Sequence, residues 1–291
     1  MATGATEFID STTADVFIPE IWSPLAIIAR ENKLLFAKLV DLRYRAALTA
    51  GDTIHVPSVG NLTAQTKTKA SNAAVSYQTN TETNVDISIA TWEYVAIAVE
   101  SIVKIQSNRD QLKLYTGKMG YALALAVDDV LAGLVDDFGN YVGTLAVDAT
   151  YDDYLRARQY LADADALAEG DVSIIISPAA EAGLLKMDHY IHNDYVAIHG
   201  EGARGTAVEK GYSTSFLRTP VYVSVNVEGT NAAGHDNAML QREALALVMQ
   251  ESPTTYPAVF DPDYIVWKVV MEQLYGTKEM RDDHGVWMKG S

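Results

Sequence analysis

Cysteine is absent from the 291-residue chain, which excludes disulfides, thiolate metal sites and cysteine nucleophiles and fits a reducing compartment. Positive charge is scarce. Lys and Arg number 22 against 38 Asp and Glu, for a formal net charge of -16 and a pI of about 4.7. The densest basic spots are Lys67 with Lys69 and Arg156 with Arg158, so tight binding to a phosphate backbone, which needs clustered Lys and Arg, is excluded. Long apolar runs are missing as well. Residues 119–127 make the best one, nine residues between Lys118 and Asp128, whereas a membrane-spanning helix needs about 20. The start, Met1-Ala2-Thr3-Gly4, lacks the basic and apolar regions of a signal peptide. A soluble chain made in the cytoplasm, without a membrane partner, is the expectation. No Ser-centred nucleophile elbow, internal repeat or heptad run is present.

What is there begins with an ordinary folded composition, 48% hydrophobic and 21% charged. The length supports one large or two intermediate domains. Residues 51–107 constrain the fold most. Gly51-Asp52-Thr53-Ile54-His55-Val56-Pro57 alternates, with Ile54 and Val56 on one side. Val85, Ile87, Ile89, Val95, Ile97 and Val99 all fall on odd positions, the period-2 signature of a strand with one apolar face. Together they predict one long β-hairpin whose return arm runs through Val99. Between the arms, 14 of the 24 residues 61–84 are Thr, Asn, Ser or Gln, too polar to offset the entropy of ordering this stretch alone. Its Thr-rich, proline-free make-up still predicts strand. Such a hairpin exceeds what a compact domain can bury, which points to a partner surface on another copy of the chain.

Upstream, Pro19 and Pro24 bracket Ile21 and Trp22, and Leu25, Ile28, Leu35, Phe36 and Leu39 follow at helical spacing. An extended arm leading into an amphipathic helix is expected. Downstream, Asn108-Arg109-Asp110 offers a helix start, and Leu112, Tyr115, Met119, Leu123, Val127, Val130 and Leu134 recur in steps of three or four. This predicts a helix about 40 Å long, with Gly117, Gly120 and Gly133 permitting close packing against a neighbour. Residues 141–251 read as a separate α/β unit. Thr150 and Asp153 suit a capping box opening a helix to about Leu167. Val172-Ser173-Ile174-Ile175-Ile176 suits a buried strand, Ser177-Pro178 a helix start, and 221–227 a further strand. Residues 239–250 are apolar with no decisive period. The last 38 residues read as β-rich, with Ile265, Trp267, Val269 and Met271 alternating, a turn at Tyr275-Gly276-Thr277-Lys278, and a final short strand at 286–288.

In this order the chain resembles the major capsid proteins of tailed bacteriophages, the Hong Kong 97-like fold. Gly51-Asp52-Thr53-Ile54-His55-Val56-Pro57 is similar to that family's entry into its extended loop. Ile174-Ile175-Ile176-Ser177-Pro178 with Leu184-Leu185, Gly211-Tyr212 before Pro220, Gln241-Arg242-Glu243-Ala244-Leu245, and Tyr275-Gly276 resemble its later elements. The likeness in element order covers nearly the whole chain. It implies an α+β fold with an N-terminal arm and helix (1–45), an extended β-hairpin loop lying across an adjacent subunit (46–107), a peripheral domain with a spine helix (108–140 and 252–291) and an axial α/β domain (141–251). It implies self-assembly into pentamers and hexamers of an icosahedral shell enclosing double-stranded DNA, in a virion capsid assembled in the host cytoplasm, with no enzymatic activity and no cofactor. Further implied partners are a portal protein, a decoration protein and a separate scaffolding protein, because no large acidic scaffolding segment precedes the arm. Contact with the packaged DNA would be weak and non-specific. The residues expected to touch a neighbour are Leu62, Lys67, Lys69, Val75, Tyr77, Trp92 and Tyr94. The family's Lys–Asn cross-linking is not carried over, since nothing identifies partners for Lys67 or Lys69.

Sharper patterns have plainer explanations beside them. Gly200-Glu201-Gly202-Ala203-Arg204-Gly205, with Glu228 23 residues on, spells a dinucleotide fingerprint. The residues after it, Gly211, Ser213, Thr214, Ser215 and Pro220, are poor material for the helix that must face a pyrophosphate, so a glycine loop is the better reading. Asp188, His189, His192, Asp194 and His199 could supply metal ligands, but a zinc site needs three or four that converge. They read as surface residues, and no metal is assigned. The pairs Asp128/Asp129, Asp136/Asp137, Asp152/Asp153 and Asp282/Asp283 suit solvated faces and helix ends better than acid–base catalysis, because neighbours on a helix point about 100° apart. Trp92, Trp267 and Trp287 sit in strand patterns, as core or interface residues. Two alternatives remain open beside the phage shell: an encapsulin-like nanocompartment of the same fold, and a soluble α/β nucleotide- or metal-dependent enzyme using 188–205.

Overall fold

The computed structural model describes residues 34–44, 51–60, 62–67, 69, 74–80, 82–102, 111–187 and 215–291, all of them in the unit Asn32–Ser291. The N-terminal arm, the helix start at 108–110, the 188–199 histidine cluster, the 200–205 glycine pattern and Gly211-Tyr212 lie outside the described residues. In chain order the elements are α1 (Phe36–Leu39), β1 (Thr53–Val59), β2 (Glu82–Ser88), β3 (Thr91–Glu100), α2 (Gln111–Ala132), β4 (Tyr141–Gly143), α3 (Tyr151–Asp163), α4 (Ala166–Glu169), β5 (Val172–Ile176), α5 (Pro178–Leu184), β6 (Ser215–Phe216), β7 (Thr219–Val223), β8 (Gly229–Thr230), β9 (Gly234–Gln241), β10 (Leu245–Thr255), β11 (Val259–Asp261), β12 (Val266–Glu279) and β13 (Gly285–Gly290). They form a mixed α and β fold with three sheets among the described residues: the β1–β2 hairpin, a four-stranded sheet centred on β12, and a seven-stranded sheet in the order β4-β13-β9-β5-β7-β6, with β8 on β9.

The long helix follows its periodicity. Met119, Leu123, Val127 and Leu131 step by four along one face of α2, and all are buried. The first two pack with Val269 and Met271 of β12 and with Val95 and Ile97 of β3. The next two join Phe36, Ile175, Ala238, Leu240 and Tyr275. One helix therefore covers the four-stranded sheet with its first half and the seven-stranded sheet with its second. Its 22 described residues correspond to about 33 Å. Of the three glycines, Gly133 is the one closely approached, where a Cβ would lie 3.3 Å from Glu228 Oε2. A Cβ at Gly117 would meet nothing within 4 Å, and one at Gly120 would meet only Met271 Sδ at 3.8 Å.

The 141–251 segment builds most of the seven-stranded sheet. Thr150 and Asp153 form the capping box that opens α3, and Ser177 Oγ caps α5 with Pro178 at its first turn. α3 ends at Asp163, earlier than expected, because Asp165 enters the left-handed region at φ 58°. β5 is buried on both faces: Ile174 and Ile176 meet α3 and Met288, while Ile175 meets the α2 side. The apolar run 239–250 resolves into two strands, the end of β9 and the start of β10. The strand expected at 221–227 runs instead as β7, Thr219–Val223. β13 joins the sheet that the 141–251 segment builds. Although it belongs to the 252–291 segment, it is hydrogen-bonded between β4 and β9, because Val286 and Met288 supply one core face and Trp287 the other.

The hairpin forms at its base and then departs from expectation. β1 and β2 pair antiparallel from Thr53↔Ser88 to Val59↔Glu82. The return arm does not continue as one strand. It breaks at Ile89-Ala90, and β3 pairs with β12 in another sheet, from Thr91↔Tyr275 to Glu100↔Val266. At the break the chain crosses β12 over Gly276, where a Cβ would collide with the Ser88 carbonyl oxygen and lie 3.1 Å from Ile89 Cα. Gly276 is therefore a crossing point inside a 14-residue strand, not the turn that Tyr275-Gly276-Thr277-Lys278 suggested. Nor do residues 62–67 and 74–80 form the strand their composition favours.

The acidic pairs also divide. Asp153 sits at a helix start, as expected, but Asp128 is fully buried. It accepts hydrogen bonds from the backbone N–H groups of Leu35 (3.4 Å) and Ala37 (3.2 Å) and from Asn226 Nδ2 (3.1 Å). A side-chain carboxyl thus satisfies amide donors at the start of the short helix α1 from across the chain.

Candidate interaction surface

Paired residue numbers in β1–β2 add to 141 throughout, and that register continues beyond the ladder through side chains. The Thr63 N–H donates to Gln78 Oε1 at 3.1 Å, Gln78 Nε2 donates back to the Thr63 carbonyl, and Ser76 Oγ donates to Gln65 Oε1. Both pairs again add to 141. At the base, His55 Nδ1 lies 2.5 Å from Asp86 Oδ1, which also accepts from Asn84 Nδ2 at 2.6 Å. The distal arms therefore face each other in register without a backbone ladder.

Two sets of contacts fasten the base. Ile87 and Ile89 pack on Ala246 and Val248, flanked by Ile54, Val56, Tyr44 and Met280. Beside them Asp41 is stitched to the start of β10, donating to the Leu245 carbonyl at 2.9 Å and accepting from the Leu247 N–H at 3.0 Å. Its carboxylate takes Arg43 Nε at 2.9 and 3.0 Å. Arg43 also reaches Glu243 at 2.6 Å, which Arg281 approaches at 3.7 Å. Burial would raise the Asp41 carboxyl, but the Arg43 hydrogen bonds and charge, with Arg242, outweigh it and hold the carboxyl below its ordinary value. A cleft of about 530 Å³, lined by Arg43, Tyr44, Val56, Val85, Glu243 and Met280, opens next to this anchor.

The residues expected to contact a neighbour fall in two places. Leu62, Lys67, Lys69, Val75 and Tyr77 all lie on the distal hairpin, exposed, with Tyr77 at 91%. Trp92 and Tyr94 do not. They stand on β3 in the four-stranded sheet, each 69% exposed. Trp92 Nε1 donates to Glu272 Oε2 at 3.0 Å, and the Tyr256 hydroxyl donates to the other oxygen of the same carboxylate. The opposite edge of β3's alternation faces inward: Glu93 accepts from Gln273 Nε2 (2.9 Å) and Tyr275 Oη (3.0 Å). Burial and the Glu93 charge push the Tyr275 phenol well above its ordinary range. Sequence reasoning missed a second exposed apolar group, Val259, Phe260, Tyr264 and Ile265, around β11.

Among the described residues no three His, Asp or Glu side chains are placed to hold a metal ion, and no helix is long and apolar enough to cross a membrane. One carboxyl is notably perturbed. Glu279 at the end of β12 is pushed up to about 7 by burial, by its side-chain hydrogen bond with Asp282 and by the Asp282 and Asp137 charges, against an opposing effect of Lys278. Asp282 itself accepts from the Gly139 N–H at 2.5 Å.

No protein-family profile and no curated protein matches the sequence. Solved structures do match. A chain from Mycobacterium phage Che8 superposes with a TM-score of 0.81 at 22% identity, covering 94% of this chain and 97% of that one. A chain from the capsid structure of cyanophage P-SCSP1u gives 0.72 at 15% identity, with 96% and 94% covered. One from the mature capsid of bacteriophage PhiM1 gives 0.71 at 12% identity, with 94% and 91% covered. The fold of this chain is the fold of those phage chains, two of which come from capsids.

Proposed function

We propose that this chain is the major capsid protein of a tailed bacteriophage, with a Hong Kong 97-like fold, and that it self-assembles into the pentamers and hexamers of an icosahedral shell around a double-stranded DNA genome. The observation that carries this reading is the end-to-end structural likeness to chains of phage capsids. The exposed distal hairpin supports it, since a polar, unladdered arm gains order only against a partner. Ring formation needs heterologous contacts, in which one surface meets a different one on the next copy. A hairpin displayed on one side of a subunit and an aromatic sheet face on β3 provide such a pair of unlike surfaces. In this reading 1–45 is the arm, 46–107 the extended loop, 108–140 with most of 252–291 the peripheral domain, and 141–251, joined by β13, the axial domain. Leu62, Lys67, Lys69, Val75, Tyr77, Trp92 and Tyr94 are inter-subunit contacts. The role is structural and non-enzymatic, in the virion capsid. A separate scaffolding protein, a portal protein and a decoration protein are its partners during and after assembly in the host cytoplasm. The net charge of -16 keeps contact with the packaged DNA weak, so the genome stays mobile.

Electron microscopy of the expressed chain, alone and with a scaffolding protein, tests this. Closed shells of uniform diameter are expected from the full chain. A variant in which a short turn replaces residues 62–80, preserving all of β1 and β2, is expected to fold but build no stable shells. Normal shells from that deletion, or a full chain that stays monomeric with a scaffold present, would overturn the proposal.

A further inference from the structure

We infer that the distal hairpin is two-faced, and that the face bearing Leu62, Ala64, Val75 and Tyr77 lies on a second copy of this chain while the face bearing Thr63, Gln65, Ser76 and Gln78 stays in solvent. The inference rests on the shell-subunit reading and adds to it which side of the arm docks. Side chains alternate between faces along paired arms, and directly opposed residues share a face. In the ladder, Ile54 with Ile87 and Val56 with Val85 occupy one face, and His55 with Asp86 and Pro57 with Asn84 the other. The hydrogen bonds Thr63–Gln78 and Ser76–Gln65 carry the same register outward. On that register Leu62 opposes Thr79, Ala64 opposes Tyr77 and Thr66 opposes Val75, all on the Ile54 face. Thr63 with Gln78, Gln65 with Ser76, and Lys67 with Ala74 continue the His55 face.

The two faces differ in chemistry and in cover. Val59, 66% exposed, ends the ladder on the His55 face; beyond it that face is polar, and its Thr63, Gln65, Ser76 and Gln78 side chains already bond each other. Burying it would desolvate satisfied polar groups for little gain. The Ile54 face is apolar at its base, with Ile54, Val56, Val85 and Ile87, and again towards the tip, with Leu62, Ala64, Val75 and Tyr77, while Ser58 opposite Thr83 lies between. Its base is buried by the chain's own body, Ile87 being fully so, yet farther out Leu62 is 68% and Val75 55% exposed. The apolar groups of one face are therefore covered at one end and bare at the other. The cover at its base is a surface of this same protein, which identifies the kind of surface it fits. Charge selects the same partner. Lys67 and Lys69 are the sole charged residues from 61 to 81, and removing their two positive charges from the net -16 leaves -18 on the rest of the chain. A cationic tip is drawn to the acidic body of another copy. Once there, the backbone of 62–67 and 74–80, which forms no ladder of its own, is open to β-pairing with it.

The absence of cysteine makes the test direct. Leu62→Cys, Thr63→Cys, Ser76→Cys and Tyr77→Cys are made singly in the full chain. Each is co-assembled as a minor fraction with unsubstituted copies, so that a variant unable to assemble alone is still read. Labelling by fluorescein maleimide is compared between shells and dissociated subunits. The expected result is protection of at least tenfold at positions 62 and 77 and less than twofold at 63 and 76. Shells in which 63 and 76 are protected instead, or in which all four positions behave alike, overturn the two-faced arm while leaving the shell reading intact. An unsubstituted chain that forms no shells overturns both.

Discussion

Replacing Glu279 with Gln offers a quantitative test of the junction between the two large sheets, because residues 280–284 link β12 of one to β13 of the other. The Oε1 atom of Glu279 is buried with no hydrogen-bond partner, its carboxyl shares a hydrogen bond with Asp282 that favours the protonated form, and Asp282 and Asp137 add like charge. Together these push its carboxyl from 4.5 up to about 7. At about 1.36 kcal/mol per tenfold change in proton affinity, ionising Glu279 in the folded chain costs up to about 3 kcal/mol, and partial exposure reduces this to about 2. The direction follows from the raised value. Below about 4.5 the carboxyl is protonated in both states and no penalty exists. As pH rises towards 7 the unfolded chain releases its proton first, and folded stability falls. Above about 7 the penalty is complete. Glu279→Gln keeps the shape of the protonated acid without its charge, so its stability advantage should grow by about 2 kcal/mol between pH 5 and pH 8. Urea unfolding of the unassembled subunit, followed by far-ultraviolet circular dichroism at the two pH values, measures this. An advantage that is equal at both, or greater at pH 5, would refute the reasoning.

Two glycines should respond oppositely to alanine. Gly276→Ala places a Cβ against the Ser88 carbonyl and should cost about 1–3 kcal/mol, with faster amide exchange at the hairpin base. Gly117→Ala meets open space in α2 and should stabilise the unassembled subunit by about 0.5–1 kcal/mol; both are read by chemical unfolding. Ser177→Ala removes the cap to Ala180 N at 3.1 Å and the hydrogen bond to the Ser291 carbonyl at 3.2 Å, for an expected loss of about 1 kcal/mol. Because the chain carries -16 and salt screens charge over about 8 Å at physiological strength, moderate sodium chloride should speed assembly. Light scattering that falls steadily with added salt would contradict that.

The hairpin shows how far the sequence alone carries. Alternation at Ile54, Val56, Val85 and Ile87 identified both arms of the base. The same alternation runs without a change of parity from Ile89 to Val95, so the switch of β3 into another sheet left no mark in the pattern. Trp92 and Tyr94, grouped with the loop by that parity, belong to a different surface. Asp128 was misread for a related reason: an acidic pair looks alike in solvent or at the buried amides of Leu35 and Ala37, which lie more than 90 residues away in sequence.

By itself, then, the sequence determined what each segment could become: the period of its apolar residues, the Thr150 and Ser177 caps, the stripe of α2 and the overall charge. These depend on neighbours within a turn or two of the backbone, where side-chain spacing and dihedral preference act directly. Tertiary structure alone decided which strands meet, where β13 inserts, and why Gly276 must lack a side chain. Strand partners are joined by backbone N–H and C=O groups common to every residue, so the choice among them rests on which combination of faces closes the core.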